Sequence, residues 1–154
     1  MGLSVDIPGR GPVELAYLVL DVNGTLSRGG ELIPGVRERL AQLAGHLEIY
    51  ALSADTFGTL AAVTGELGIR AQTVVSGDDK AHHVVKLGAE RCVAVGNGAN
   101  DARMLEAAEL AIAVVGPEGA AAAALRAADV VCNSIVDALD LLLDERALVA
   151  TLRR

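Results

Sequence analysis

Four short stretches of the chain put small, acidic, hydroxyl or cationic side chains where an apolar run stops. Asp21-Val22-Asn23-Gly24-Thr25 follows Tyr17-Leu18-Val19-Leu20, and Ser53-Ala54-Asp55 follows Ile49-Tyr50-Ala51-Leu52. Ser76-Gly77-Asp78-Asp79-Lys80 comes next, and Gly96-Asn97-Gly98-Ala99-Asn100-Asp101 follows Cys92-Val93-Ala94-Val95. A carboxylate can serve as a nucleophile. Asp21 and Asp101, with a backbone carbonyl, also make the hard oxygen set that Mg²⁺ prefers. Ser53 offers a hydroxyl donor. Lys80 offers a compact ammonium suited to a single phosphoryl oxygen, for which Arg is no equivalent. It stands at the start of a helix, where a cation opposes the dipole. Eleven of the thirteen basic residues are Arg, so a Lys at that position points to function. Carboxylate, hydroxyl, ammonium and metal together are the parts of a phosphoryl-transfer site.

Each residue alone has an ordinary structural use. Asp21 could cap a turn, and Asp55 could cap a helix beginning near Thr56. His82-His83 beside Asp78-Asp79 suggests a metal cluster, but adjacent helical residues point in different directions, which favours a solvated first turn. His46 reads as a surface loop residue. Gly96-Asn97-Gly98 lacks the third glycine of a dinucleotide loop. What marks a site is the recurrence of such residues at successive strand ends.

The elements that must hold them follow from the pattern. Tyr17–Asp21 reads as a buried strand, preceded by a short strand at Leu3–Ile7 and a turn through Pro8–Pro12. Residues 26–33 read as a small hairpin turning at Arg28-Gly29-Gly30. Pro34 starts a helix striped by Val36, Leu40 and Leu43 and ended by Gly45. Strands at 47–52, 72–75, 92–95, 110–115 and 130–132 then alternate with helices at 56–67, 81–87, 101–108, 119–128 and 134–143. This alternation predicts an α/β fold, a Rossmann-like parallel sheet with helices on both faces. Ligands of such sheets bind beyond the carboxyl ends of the strands. The expected organisation is one domain over 1–154, with residues 1–12 as an extension carrying a short strand.

Composition agrees and narrows the classes. Hydrophobic residues make up 52% of 154, but aromatics only 2%, so the core must be aliphatic, as in a parallel sheet under Ala-rich helices. A formal charge of −7, with no basic face, argues against nucleic acid as a partner. No window approaches the ~20 apolar residues of a membrane span. The first residues show neither the basic nor the apolar segment of a signal peptide, so a cytoplasmic location is expected. Cys92 and Cys132 lie in apolar runs and read as buried, reduced thiols.

Taken in order, the four motifs resemble those of the haloacid dehalogenase superfamily. Asp-Val-Asn-Gly-Thr-Leu is similar to its first motif, Asp-x-Asp-Gly-Thr. Ser53 matches the second, Lys80 the third, and Gly-Asn-Gly-Ala-Asn-Asp resembles the fourth, Gly-Asp-Gly-x-Asn-Asp. The fourth motif and the Asp79-Lys80 pair most resemble the phosphorylation domain of P-type ATPases, and hence the soluble P-type ATPase-like phosphatases. The resemblance covers the chain from about Val13 onward. It implies that Asp21 becomes an aspartyl-phosphate, with Asn23, Ser53 and Lys80 as its catalytic companions. It places phosphate against Asp21, Gly24, Ser53, Lys80 and Asn100, and Mg²⁺ against Asp21, the carbonyl of Asn23, Asn97 and Asp101. It implies a phosphorylated small-molecule or macromolecular substrate.

Two positions depart from the family pattern. Asn23 replaces the Asp that acts as general acid and base, and an amide can neither give nor take that proton. Asn97 replaces a carboxylate beside the metal with a neutral amide. Residues 26–48 and 53–80 leave no room for an inserted cap, so the site is either open to a large substrate or covered by another copy in a homo-oligomer. The alternative to an enzyme is a catalytically weak phosphoryl-binding or regulatory module of the same fold. A receiver domain is rejected, because its Asp follows a middle strand and an earlier acidic pair.

Overall fold

The computed structural model describes residues 2–55, 57–58 and 60–154. Its elements in chain order are β1 (Leu3–Ile7), β2 (Gly11–Leu15), β3 (Tyr17–Asp21), β4 (Ser27–Arg28), β5 (Glu31–Leu32), α1 (Val36–Leu43), β6 (Glu48–Ser53), α2 (Leu60–Glu66) and β7 (Arg70–Thr73). There follow α3 (Gly77–Leu87), β8 (Cys92–Gly96), α4 (Ala102–Ala107), β9 (Leu110–Val114), α5 (Ala122–Ala127), β10 (Val130–Cys132), α6 (Ile135–Leu143) and α7 (Glu145–Leu152).

Among the described residues, six strands form one sheet in the order β10-β9-β8-β3-β6-β7, and every neighbouring pair is parallel. The chain starts this sheet in the middle, moves outward through β6 and β7, then returns to β8 on the other side of β3. The strand order therefore reverses between β3 and β8, where open α/β sheets form their ligand crevice.

The four inner strands β9, β8, β3 and β6 are buried on both faces, with alternate side chains feeding two cores, while the edge strand β7 is exposed along its length. Leu18 and Leu20 of β3, Val93 and Val95 of β8, and Leu110, Ile112 and Val114 of β9 pack with Val36, Leu40 and Leu139 of α1 and α6. Their neighbours Val19, Cys92, Ala94 and Ala111 face Val84, Met104, Leu105 and Ala124 of α3, α4 and α5. The second face uses smaller residues, which lets its helices lie close to the strands.

Several boundaries differ from the sequence reading. Gly11–Leu15 is a strand of its own, antiparallel to β1, and not part of the turn. Val13 and Leu15 are buried while Pro12 and Glu14 are exposed, the alternation of a strand, and Pro12 is tolerated because a two-stranded ribbon has free edges. An additional helix, α7, capped by Asp144 through the Ala147 N–H, packs on this ribbon. The expected helix from residue 56 begins as α2 at Leu60; Thr56 lies outside the described residues, and Gly58 has φ +53°, which a helix cannot use. Helix α3 starts earlier, at Gly77, because Ser76 and Asp79 form a reciprocal capping box. Helix α5 is shorter than expected. The Ala121 N–H donates to the Asn97 carbonyl instead of joining a helix.

Both cysteines are free, Cys92 buried and Cys132 partly buried. Burial pushes the Cys92 thiol up to about 11, so it is no nucleophile. His82 is exposed, but His83 is not the solvated residue expected. Its ring lies 5.1 Å from that of Tyr50, and its Nε2 is buried without a hydrogen-bond partner. Burial, with the charges of Lys86 and His82, lowers its pKa below the ordinary 6.5. The unfolded chain then binds a proton that the folded chain resists, so stability falls as pH drops through 6.5. His83→Phe, which keeps the ring packing, is expected to remove this part of the acid sensitivity. Urea midpoints at pH 8 and pH 5.5 for both proteins check it: the wild type should lose more between the two pH values than the variant.

Candidate active site

Asp21 is the last residue of β3, and Gly96 ends β8 beside it. The crevice beyond these ends is a cavity of about 530 Å³ lined by Asp21, Asn23, Ser53, Lys80, Asn97 and Asn100, among others. The structure thus brings to one place the residues that the sequence pattern singled out at separate strand ends. Asp101 lies directly behind them, fully buried. Gly24 lines a smaller adjoining cavity, and its N–H donates to the Ser27 carbonyl at 3.0 Å.

Lys80 joins the parts. Its side chain is among the largest fully buried in the protein, and its Nζ donates to Asp21 Oδ1 and to Asp101 Oδ1, each at 2.8 Å. The capping box fixes the first turn of α3, so the fourth residue of that helix points inward to the strand ends. Asp101 is held in turn by the backbone: its Oδ2 accepts from the N–H of Asn97 at 3.0 Å and of Gly98 at 2.9 Å. Thr25 Oγ1, wholly buried, lies 3.0 Å from Asp21 Oδ2 and 3.2 Å from Asn97 Oδ1. The Asn97 amide donates to the Gly119 carbonyl at 3.2 Å.

The electrostatics are lopsided. Two buried carboxylates share one ammonium. Burial, and then the Asp101 charge, hold the Asp21 carboxyl above its ordinary value of 3.8, against the opposite pull of Lys80 and Thr25. Burial works against the charge on Lys80, but the two carboxylates outweigh it and raise its pKa, so the ammonium persists at neutral pH. One unit of negative charge is left over around hard oxygen atoms, which suits a divalent cation. Among the described residues no group of three or more His, Cys, Asp or Glu side chains gathers as a metal centre. A cation here would rely on Asp21 and Asp101 with neutral oxygens such as those of Asn97 and the Asn23 backbone.

Three residues of the site were not identified as such from the sequence. Thr25 lies in the first motif, but its contact with Asn97 spans 72 positions and leaves no local trace. Asp55, read as a helix cap, is not one, since α2 begins only at Leu60. Its carboxylate accepts from Asn23 Nδ2 at 2.9 Å, while its N–H donates to Ser53 Oγ at 3.1 Å. Its position two residues after Ser53 was the available signal. Glu118, in the loop after β9, also lines the cavity and carried no signal.

Because ionised Asp21 is costly in the fold, its contribution to stability is present below pH 3.8 and declines as pH rises through its elevated folded value. Asp21→Asn is therefore expected to raise the urea midpoint at pH 7 in the presence of a chelator, by about 0.5–2 kcal/mol of unfolding free energy. Lys80→Met should do the reverse, costing about 3–5 kcal/mol by leaving two carboxylates buried without their partner. Equilibrium unfolding of the two variants beside the wild type checks both signs.

The family model for haloacid dehalogenase-like hydrolases matches residues 7–109. An uncharacterized protein of Methanocaldococcus jannaschii is 47% identical over 64 residues, which are 42% of this chain and 69% of that protein. A probable cation-transporting ATPase G of Mycobacterium bovis is 37% identical over 94 residues, covering 59% of this chain but only 12% of the ATPase. Among solved structures, the catalytic domain of a CPx-ATPase superposes with TM-score 0.61 at 26% identity, over 73% of this chain and 46% of that one. The 3-deoxy-D-manno-octulosonate 8-phosphate phosphatase of Moraxella catarrhalis, solved with magnesium, phosphate and the sugar acid, superposes with TM-score 0.67 at 18% identity, over 90% and 94% of the two chains.

Proposed function

Since the chain belongs to the haloacid dehalogenase-like hydrolases, we propose that it is a Mg²⁺-dependent phosphohydrolase that works through an aspartyl-phosphate on Asp21. The observation that carries this reading is the convergence of Asp21, Ser53 and Lys80 on one cavity, with Lys80 bound to both Asp21 and Asp101. An Asp21 oxygen attacks phosphorus, the ester P–O bond breaks, and the leaving oxygen departs with the electron pair. Water then cleaves the acyl phosphate, returning the carboxylate and releasing inorganic phosphate. Lys80 and the Ser53 hydroxyl hold the transferring oxygens. Asp21, Asp101, Asn97 and the Asn23 carbonyl would hold the Mg²⁺, which supplies charge neutralisation when bound. The magnesium and phosphate in the octulosonate phosphatase structure support that choice of ion.

Asn23 shapes what this site does well. Its amide donates to Asp55 and cannot protonate a leaving oxygen, so good leaving groups are favoured. A weak phosphoryl-binding module is the second reading, favoured by one observation: the Asn97 oxygen is engaged by Thr25. The uncovered mouth completes the proposal. Residues 26–48 hold only the β4–β5 hairpin and α1, so a second copy of the chain is assigned the role of screening the site. Sedimentation should show a dimer or larger at micromolar concentration, and a monomer alone would count against this part.

Turnover decides between the two readings. Aryl and acyl phosphates should be hydrolysed with Mg²⁺ present, and unactivated alkyl phosphates more slowly by about 10²–10⁴-fold, the usual worth of general acid catalysis. Asp21→Asn should abolish both turnover and the beryllium fluoride adduct. Binding of phosphate or of the fluoride without turnover of any ester would favour the module; undiminished hydrolysis by the variant would remove the covalent mechanism.

A further inference from the structure

The groups around the mouth of the cavity differ in charge from those at its floor. Lys80, its cation, is buried and committed to Asp21 and Asp101. The charged groups that remain exposed on the lining are Asp55 and Glu118, and they come from different loops, one after β6 and one after β9. Asp55 is held in place by the Asn23 amide at 2.9 Å and by its own N–H on Ser53. Glu118 lies directly over Gly24. A Cβ on Gly24 would stand 1.8 Å from Glu118 Oε2, and Gly24 has φ +77°, so only glycine admits both the turn and this approach.

Asn23, Asp55 and Glu118 also line an adjoining cavity of about 310 Å³, which runs along the β4–β5 hairpin to Arg28. A phosphoryl group seated against Asp21 and Lys80 has its ester oxygen facing outward. The first atoms of the leaving group then meet the lining to which Asp55 and Glu118 both contribute. The positive charges at the floor, Lys80 and a bound divalent ion, are outweighed there by Asp21, Asp101 and the phosphoryl oxygens, so none is left over for the carboxylates at the mouth.

We infer that Asp55 and Glu118 select a leaving group with a positive charge close to its ester oxygen, so that cationic phosphate monoesters bind ahead of neutral and anionic ones. This rests on the phosphohydrolase reading and adds to it the charge of the substrate. Arg28 lines the adjoining cavity but not the one that holds Asp21 and Lys80, so the selection concerns the atoms next to the ester and not a distant group. Anionic leaving groups meet two like charges, and neutral ones gain nothing from them.

Competition against hydrolysis of p-nitrophenyl phosphate tests this whether or not the competing esters turn over. The three competitors are choline phosphate, its neutral isostere 3,3-dimethylbutyl phosphate, and the phosphate ester of 4-hydroxybutanoate. Choline phosphate is expected to have an inhibition constant about 10-fold below that of the neutral ester, and the anionic ester one about 10-fold above it. Both gaps should narrow with added salt. Asp55→Asn and Glu118→Gln should each shrink the cationic-to-neutral ratio by about 3-fold or more. That ratio does not depend on how much of a variant is folded, and the wild-type ranking stands without either variant. If the wild type hydrolyses p-nitrophenyl phosphate but binds the neutral or anionic ester as well as the cationic one, the inference is wrong and the phosphohydrolase reading survives. The inference is overturned in the same way if neither substitution moves the ratio. If p-nitrophenyl phosphate is not hydrolysed at all, the phosphohydrolase reading falls, and the inference with it.

Discussion

The ammonium of Lys80, 2.8 Å from an oxygen of Asp21 and 2.8 Å from one of Asp101, is the contact on which the arrangement of the site depends. It joins the end of β3, the first turn of α3 and the loop after β8; Asp21 and Asp101 stand 59 and 21 positions from Lys80 in the chain. Two packing details make the contact possible. The Ser76–Asp79 box fixes where α3 begins, and Gly77 lets that turn abut the backbone of Asn100, since a Cβ there would lie 2.5 Å from the Asn100 oxygen. Any side chain at residue 77 would push the helix, and Lys80 with it, away from Asp101.

That contact does not balance the site. Two buried carboxylates against one cation leave a net charge in a place where desolvation is costly. The rest of the fold must offset this, and it does so with a parallel sheet whose inner strands are buried on both faces. Large aliphatic residues fill one side. Ala94, Ala111 and Ala124 on the other allow α4 and α5 to close tightly over the strands that carry the site. The sparse aromatic content is a consequence of that geometry. Tyr17 and Tyr50 stand together, with Arg91 over one ring and Arg70 over the other, away from the cavity-lining residues.

What was legible in the sequence was whatever is local. Tyr17–Asp21 and Cys92–Val95 announced themselves as short aliphatic runs ended by polar residues, and the rule that parallel sheets bind at strand ends then selected Asp21, Ser53, Lys80 and Asp101. The parts that escaped depend on partners far along the chain. Gly11–Leu15 is a strand because Leu3–Ile7, itself packed against α7, pairs with it. Residues 119–121 stay out of α5 because Asn97 takes their hydrogen bonds. His83 is withdrawn from water by Tyr50 of a neighbouring strand, which no periodicity in Gly77–Leu87 records. Asp55 is visible as a residue type, but the sequence pairs it with the wrong neighbour, because the helix it would cap starts later.

The two asparagines that depart from the family pattern are explained by the same long-range contacts. Asn97 uses both ends of its amide: the oxygen faces the Thr25 hydroxyl, and the nitrogen donates to the Gly119 carbonyl. A carboxylate there would set an oxygen against that carbonyl and add a third charge beside Asp21 and Asp101. Asn23 likewise donates to the Asp55 carboxylate. A carboxylate in its place would bring two like charges to hydrogen-bond distance, and one of them would have to hold a proton. In each case the amide stands where its neighbour is an acceptor, so the substitution and the neighbour fit as a pair. The amides are therefore part of a connected polar network, in which the carboxylate given up at residue 23 is matched by one supplied at residue 55.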